Sequence, residues 1–240
     1  MLVYRDLCIL LPTINELENI KILIPQIVDL FPKATVIIVD DNSNDGTCDY
    51  VKILQHKFPN VQLIMRKSRQ GIGSAHLEGI KYALKLGFKY LITMDADLTH
   101  RTTDAKLIFK ELRTRDIVIG SRYLQKSNMK DWPLHRIVLT HLGHLITKIF
   151  FGSDLDMSSG LRGYRIEALD INSLKKNCPL NYDFFFVSVL VFKKCKLNIS
   201  QVPATLNNRN FGRSKMSLYL ALQGGAKMLL YAFRLVRIQK

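Results

Sequence analysis

Short apolar runs alternate with longer stretches of helical period through the amino-terminal half of the chain. Leu7-Cys8-Ile9-Leu10-Leu11, Thr35-Val36-Ile37-Ile38-Val39 and Tyr90-Leu91-Ile92-Thr93-Met94 are nearly continuous apolar segments, the pattern of strands buried on both faces. Helical spacing fills positions 18–30, 47–57 and 72–86. This β-α-β-α order predicts an α/β fold, a mainly parallel sheet flanked by helices. Pro12 closes the first strand. Thr13 and Glu16 stand at capping-box spacing, which predicts that the pair caps the first helix.

In open α/β sheets, ligands bind beyond the carboxyl ends of the strands. Polar clusters stand at three such ends, at positions 13–16, 40–47 and 95–100. Each could serve only as a cap or a turn. Together at one sheet edge they predict a binding crevice. Asp95-Ala96-Asp97 is the most informative of them. In extended backbone the two carboxylates point to the same side, where they could share one divalent cation. Hard cations such as Mg²⁺ take oxygen ligands and keep water and phosphate oxygens in their shell. Such a site suits a nucleoside diphosphate that must leave as an anion.

Two later stretches have a different pattern. Positions 132–151 place Ile137, Val138, Leu142, Leu145, Ile146, Ile149 and Phe150 at helical spacing behind Trp132, with Arg136, His141, His144 and Lys148 between them. Positions 217–237 repeat the pattern with Leu218, Leu220, Leu222, Met228, Leu229, Leu230, Phe233 and Val236 beside Lys227, Arg234 and Arg237. Neither reaches the ~18 uncharged apolar residues of a spanning helix. Basic amphipathic helices either pack on a core or lie on a membrane surface, and both readings stand for both stretches. The organisation predicted is a catalytic domain at 1–215 and an amphipathic, membrane-associating segment at 216–240.

Composition narrows the partners. The 240 residues are 48% hydrophobic, enough for one substantial core. Lys and Arg number 35 against 20 Asp and Glu, a net charge of +15. That excess calls for anions: phosphorylated substrates, a lipid headgroup layer or nucleic acid. No helix-turn-helix, zinc or RNP-like pattern supports nucleic acid. The four cysteines, Cys8, Cys48, Cys178 and Cys195, have neither C-x-x-C nor metal spacing and predict free thiols. Arg5 and Asp6 before the first apolar run predict a strand there, not a signal peptide.

The motifs resemble those of inverting family 2 glycosyltransferases, most nearly the dolichol-phosphate mannosyltransferase group. The likeness rests on Pro12-Thr13-Ile14-Asn15-Glu16, on 40–47, and on Met94-Asp95-Ala96-Asp97-Leu98-Thr99-His100. It continues through Gly71-Ile72-Gly73-Ser74-Ala75 with Gly79 and Ala83, and Gly120-Ser121-Arg122-Tyr123. Trp132 with Arg136, the run from Asp156 to Arg165, Val202-Pro203, Arg209, Gly212, Ser214 and Lys215 complete it. The resemblance implies a GT-A fold and transfer of a hexose, mannose from GDP-mannose above all, to dolichyl or another polyprenyl phosphate with inversion. It implies Mg²⁺ or Mn²⁺ held by Asp95 and Asp97, with Asp97 the more direct ligand.

Carried over residue by residue, the donor would be held by Pro12, Thr13, Glu16, Asp40, Asp41, Asp95, Asp97, Arg209 and Lys215. The acceptor phosphate would be held by Arg122, Arg136 and Thr140, and the reaction would rest on Asp97, Arg122 and Arg136. Gly212 would let the loop that carries Arg209 close over the donor. The resemblance further implies a peripheral enzyme on the cytoplasmic face of a membrane, endoplasmic reticulum or plasma membrane according to the source, with a small membrane subunit as a candidate partner. The chain departs from the family at several positions. Phe185, Phe186 and Val187 follow Tyr182-Asp183-Phe184 where the family often has a Gln and a Glu. Thr99 stands for a Gln, Leu161 for a Phe, and Arg101-Thr102-Thr103 lacks the usual proline. These departures leave a UDP-sugar donor and a catalytically inactive, nucleotide-sugar-binding relative as alternatives.

Overall fold

The computed structural model describes residues 4–125, 134–209 and 211–212, and within this set the side chains of His135 and Arg136 are not described. Trp132, Ser214, Lys215 and the amphipathic stretch at 217–237 lie outside the described residues.

Seven strands form one sheet in the order β3-β2-β1-β4-β6-β5-β7. They are β1 (Leu7–Thr13), β2 (Thr35–Asp40), β3 (Val61–Met65), β4 (Tyr90–Thr93), β5 (Ile117–Ser121), β6 (Arg162–Arg165) and β7 (Ile199–Pro203). Pairing is parallel except where β6 runs antiparallel to both β4 and β5. The helices are α1 (Leu17–Leu30), α2 (Thr47–Lys57), α3 (Ile72–Lys85), α4 (Thr102–Glu111), α5 (Leu134–Phe151), α6 (Ile171–Asn177) and α7 (Asp183–Lys194).

Alternation along the strands builds a core on each face. Leu7, Ile9 and Leu11 of β1, with Val36 and Ile38 of β2, meet Ile20, Leu23 and Ile27 of α1 and Ile108 of α4. Cys8, Leu10, Ile37 and Val39 face the other way, onto Ala75, Ile80 and Ala83 of α3 and the Phe184–Phe186 run of α7. A strand buried on both faces must be apolar throughout, which is why the runs at 7–11 and 35–39 carry almost no polar residue. Cys8, Cys48 and Cys178 are buried free thiols and Cys195 is an exposed one.

Local pattern and structure part at the start of α1. Thr13 and Glu16 do not form a capping box; Glu16 caps through no side-chain bond. Thr13 lies opposite Asp40 in the parallel register and gives its hydroxyl to that carboxylate at 2.7 Å. The amides at the head of α1 bond instead to the next loop, Glu16 N to Thr47 Oγ1 at 3.0 Å and Leu17 N to Asp45 Oδ2 at 3.0 Å. The polar loop at 40–47 therefore welds the ends of β1 and β2 together.

Helix α5 has an apolar stripe facing solvent. Leu134, Val138, Leu142, Leu145 and Ile149 recur at helical spacing, with Leu134 76% and Ile149 67% exposed. No described helix is long and apolar enough to cross a membrane.

Candidate active site

Every loop at the carboxyl edge of the parallel strands feeds one cavity of about 650 Å³. Pro12, Thr13 and Glu16 enter after β1, Asp41 after β2, and Arg69 to Ile72 ahead of α3. Asp95, Asp97 and His100 follow β4, Arg122 follows β5, and Ser158 and Gly160 precede β6. Tyr182 and Phe185 come from the head of α7, and Leu206 and Arg209 follow β7.

Asp95-Ala96-Asp97 is not extended as expected. The chain turns directly after β4, and Leu98 takes a positive φ of 63°. Asp97 Oδ1 accepts from Thr99 N at 3.1 Å and Thr99 Oγ1 at 2.6 Å, an Asx-type turn that holds the triplet in place. Asp97 Oδ2 faces Arg209, whose Nη2 lies 3.8 Å away. Asp95 faces His100, with Nε2 3.3 Å from Oδ2. Burial would raise the Asp95 carboxyl, but the His100 hydrogen bond and the neighbouring His100, His76 and Arg122 hold it below the usual carboxylate range. Both carboxylates line the cavity, each turned by a different partner.

Gly160 gives Asp95 its room. A Cβ at this position would stand 2.8 Å from Asp95 Oδ1 and 3.1 Å from Oδ2. Gly160→Ala is therefore expected to push that carboxylate aside and cut turnover about 100-fold, the order of loss a ~1 Å misplacement causes. The far-ultraviolet circular dichroism should be unchanged; unchanged turnover would show that the Asp95 position is not critical.

Asp40 and Asp41 divide the work of the β2 end. Asp40 is fully buried and takes bonds from Thr13 Oγ1, Ser43 N at 2.8 Å and Ser43 Oγ at 2.6 Å. Its carboxylate is spent inside the loop and does not line the cavity, which corrects its expected place among the donor contacts. Asp41 does line the cavity. It accepts from Gln70 N at 2.8 Å, Gly71 N at 3.0 Å and Arg66 Nη1 at 2.9 Å.

Arg66 escaped the sequence reading altogether. Its side chain is 2% exposed and links Asp41 to Glu78, with Nε 2.9 Å from Glu78 Oε2. Nη1 also reaches the Gly71 carbonyl at 3.4 Å. Arg66 thereby fixes Asp41 and the 69–72 loop as one wall. A charge-assisted bond contributes about 1.5–3 kcal/mol. Arg66→Lys, which cannot fork between two carboxylates, should raise the donor KM about tenfold and leave the acceptor KM unchanged. Equal changes in both constants would reduce Arg66 to general support.

Two arginines, the partly buried Arg122 and the fully buried Arg162, organise the loops after β5 and before β6. Arg122 Nε meets Asp156 Oδ2 at 2.8 Å, and Asp156 is fully buried. Burial would lower the guanidinium, but the Asp156 charge and hydrogen bond keep it above its ordinary value. Arg162 is also fully buried. It donates to the carbonyls of Ser159 at 2.8 Å, Met157 at 2.9 Å and Phe185 at 2.7 Å, and to Ser188 Oγ at 2.8 Å. The 156–165 run thus has distinct parts: Asp156 anchors Arg122, while Arg162 ties the loop carrying Ser158 and Gly160 to α7.

Tyr123 joins these loops to α5. Its ring stacks on His144 at 3.9 Å, and its hydroxyl donates to the Thr140 carbonyl at 3.3 Å. Thr140 lies on α5 one turn after Arg136 and is not among the cavity lining residues. Phe185, where the family often has an amide or carboxylate, lines the cavity, and Val187 is buried. His76, behind Phe184 and Phe185, was also missed. Burial pushes its imidazole down to about 3.

The chain is similar to known proteins over most of its length. Residues 8–171 match the family described as Glycosyl transferase family 2, and the chain belongs to that family. It is a glycosyltransferase. It is 32% identical over 213 residues to the undecaprenyl-phosphate mannosyltransferase of Micrococcus luteus, covering 87% of this chain and 86% of that one. It is 30% identical over 230 residues to the dolichol-phosphate mannosyltransferase of Saccharomyces cerevisiae, covering 90% and 82%. Among solved structures, glucosyl-3-phosphoglycerate synthase from Mycobacterium tuberculosis, in complex with Mn²⁺, UDP and phosphoglyceric acid, superposes with a TM-score of 0.62. At 19% identity, over 86% of this chain and 72% of that one, the match shows the shared GT-A fold.

Proposed function

We propose that the protein transfers mannose from GDP-mannose to dolichyl or another polyprenyl phosphate, with inversion, at a membrane surface. The observation that carries this reading is one cavity lined by Asp95, Asp97 and Arg122 together. The names of the relatives supply the acceptor and product classes: undecaprenyl phosphate and dolichol phosphate as acceptors and polyprenol monophosphomannose as product.

A divalent ion fits the acidic wall. Asp97 Oδ2 already faces a cation, the Arg209 guanidinium, and carboxylate oxygen is the donor type Mg²⁺ and Mn²⁺ prefer. Among the described residues no group of three or more His, Cys, Asp or Glu is gathered. Asp97 and Asp95 would supply the protein ligands, and diphosphate and water the rest. When bound, the ion would offset the charge on the departing nucleoside diphosphate.

The remaining work falls to the chain itself. The wall of Pro12, Thr13, Glu16 and Asp41 would hold the nucleoside, with Asp40 bracing it from beneath. Arg122 would grip the acceptor phosphate, since its planar fork suits phosphate oxygens. Arg136 and Thr140 on α5, and Lys215, would add to the acceptor and donor contacts respectively. A phosphate monoester has a second pKa of about 6, so near neutral pH its dianion attacks the anomeric carbon without a general base. The nucleoside diphosphate leaves from the opposite face, and the configuration inverts.

The apolar stripe of α5 supports a peripheral position at the membrane, where a lipid acceptor is reached from its headgroup. Residues 1–215 would be the catalytic domain and 216–240 a further membrane contact. The test is a transfer assay with Mg²⁺ or Mn²⁺, a polyprenyl phosphate in detergent and a panel of labelled GDP- and UDP-sugars, followed by extraction of the lipid. Label from GDP-mannose is expected. Label from a UDP-sugar alone would reassign the donor, and no label from any donor, with folded protein, would sink the reading.

A further inference from the structure

One nitrogen in the cavity serves two acids. Arg209 Nη2 forms an ion pair with Glu16 Oε1 and also stands 3.8 Å from Asp97 Oδ2. Glu16 is 6% exposed and comes from the end of β1; Asp97 comes from the turn after β4. Two carboxylates from neighbouring strand ends thus face one guanidinium.

The position of Arg209 is fixed from behind. The segment leading to it is zipped onto the turn that carries Asp97: Asn207 N donates to the Thr99 carbonyl at 2.9 Å, and His100 pairs with Leu206 in an isolated antiparallel bridge. One helix further on, Thr205 N donates to Asp104 Oδ2 at 2.8 Å, and Ala204 N to the Ser121 carbonyl at 3.0 Å. Arg209 and Asp97 therefore ride on one braced unit.

We propose that Arg209 is the resident counter-ion of the Asp97–Glu16 acid pair and that a divalent metal and this guanidinium are alternative cations for it. This rests on the reading of Asp97 as a metal ligand. A metal arriving alone must displace Arg209 and leave its charge beside a second cation. A metal arriving with a nucleoside diphosphate brings phosphate oxygens that receive Arg209 as it leaves Asp97. Metal and donor then enter as a coupled pair, and by linkage each tightens the other by the same factor. The consequence is an enzyme that holds little metal until the donor is present.

The test is Mn²⁺ binding to the full chain without nucleotide, followed by the electron paramagnetic resonance of the free ion. Arg209→Gln is expected to bind Mn²⁺ about tenfold more tightly than the native chain, within the usual range of site coupling. Arg209→Lys keeps the charge but replaces the planar guanidinium with a more strongly hydrated ammonium on a shorter stem, and should fall between them; should either variant fail to fold, the other carries the comparison. Arg69→Gln removes a cation from the same cavity and controls for the general field, so its affinity should stay near native. Adding GDP or UDP should tighten Mn²⁺ in the native chain by a larger factor than in Arg209→Gln. The proposal is overturned if the Arg209 variants bind no more tightly than native, or if Arg69→Gln gains as much as Arg209→Gln. Asp97→Asn separates the two levels: lost Mn²⁺ binding there keeps the metal reading even if the Arg209 variants fail, whereas native affinity there removes both.

Discussion

Asp97→Asn is expected to lower turnover by at least about 10²–10³-fold, the loss that follows when one preorganised group facing developing charge is removed, and to leave the fold in place. The substitution is chosen because Asp97 has two separable jobs. Its Oδ1 closes the turn by accepting from Thr99 N and Oγ1, and an amide oxygen can keep both bonds. Its Oδ2 faces Arg209, and an amide nitrogen there brings no charge for a cation. The side chain is 20% exposed, so no buried charge is stranded by the change. The melting temperature should move little while turnover collapses. The check is kcat at saturating donor and acceptor with Mg²⁺ or Mn²⁺, beside a thermal melt. Normal turnover would refute the assignment of Asp97, and a large fall in melting temperature would mean that the turn, not the charge, had been lost.

That pair of jobs also marks where sequence reading succeeds and stops. Asp95 and Asp97 are visible as a D-x-D after an apolar run, but the turn that parts them depends on Leu98 at φ 63° and on a side-chain bond two residues on. Periodicity cannot register either. Strands β1, β2 and β4 are legible because burial on both faces leaves polar residues almost only at their ends. Helix α3, expected at 72–86, spans Ile72–Lys85 because its apolar face meets the sheet at regular intervals. Strand β6 reads Arg-Gly-Tyr-Arg and has no strand pattern of its own. It is a strand because β4 and β5 flank it and because Gly163 lets Ile108 of α4 and Leu112 just beyond that helix close over it; a Cβ there would lie 2.4 Å from Ile108.

Polar residues follow the same rule. The Thr13–Glu16 spacing is a local signal, and it lost to Asp40, twenty-seven positions away but adjacent across the sheet. Arg66 carries no local signal at all, since its partners Asp41 and Glu78 lie on either side in sequence and meet only when β3 docks beside β2. Arg162 and Asp156 stood in a recognisable run, yet their separate duties appear only once α7 and the end of β5 are packed against it. Crevice residues are therefore legible as types and as strand ends, while the residues that hold them are legible only from the fold.

Arg122→Met is expected to cost both stability and acceptor binding, and a second substitution should separate the two. In the native protein the Asp156 carboxylate is fully buried against Arg122 Nε at 2.8 Å. It also takes Arg122 N at 3.2 Å and Ser158 Oγ at 3.0 Å. Removing the guanidinium strands that charge, and breaking a buried pair on one side costs about 3–5 kcal/mol. At about 2–4 °C per kcal/mol for a chain of this size, the melting temperature should fall by roughly 6–20 °C. Arg122→Met with Asp156→Asn removes both charges, leaves an amide oxygen that can still accept from Ser158 N and Oγ while the bond from Arg122 N is given up, and should recover much of the loss. It should not recover transfer. If Arg122 grips the acceptor phosphate, the double variant remains slow, with the acceptor KM raised and the donor KM near native, because no cation has been returned to position 122. Steady-state kinetics in both substrates, read beside the melts, decide the matter. A double variant that regains stability and activity together would make Arg122 a structural partner of Asp156 and send the search for the phosphate site along α5, toward Arg136.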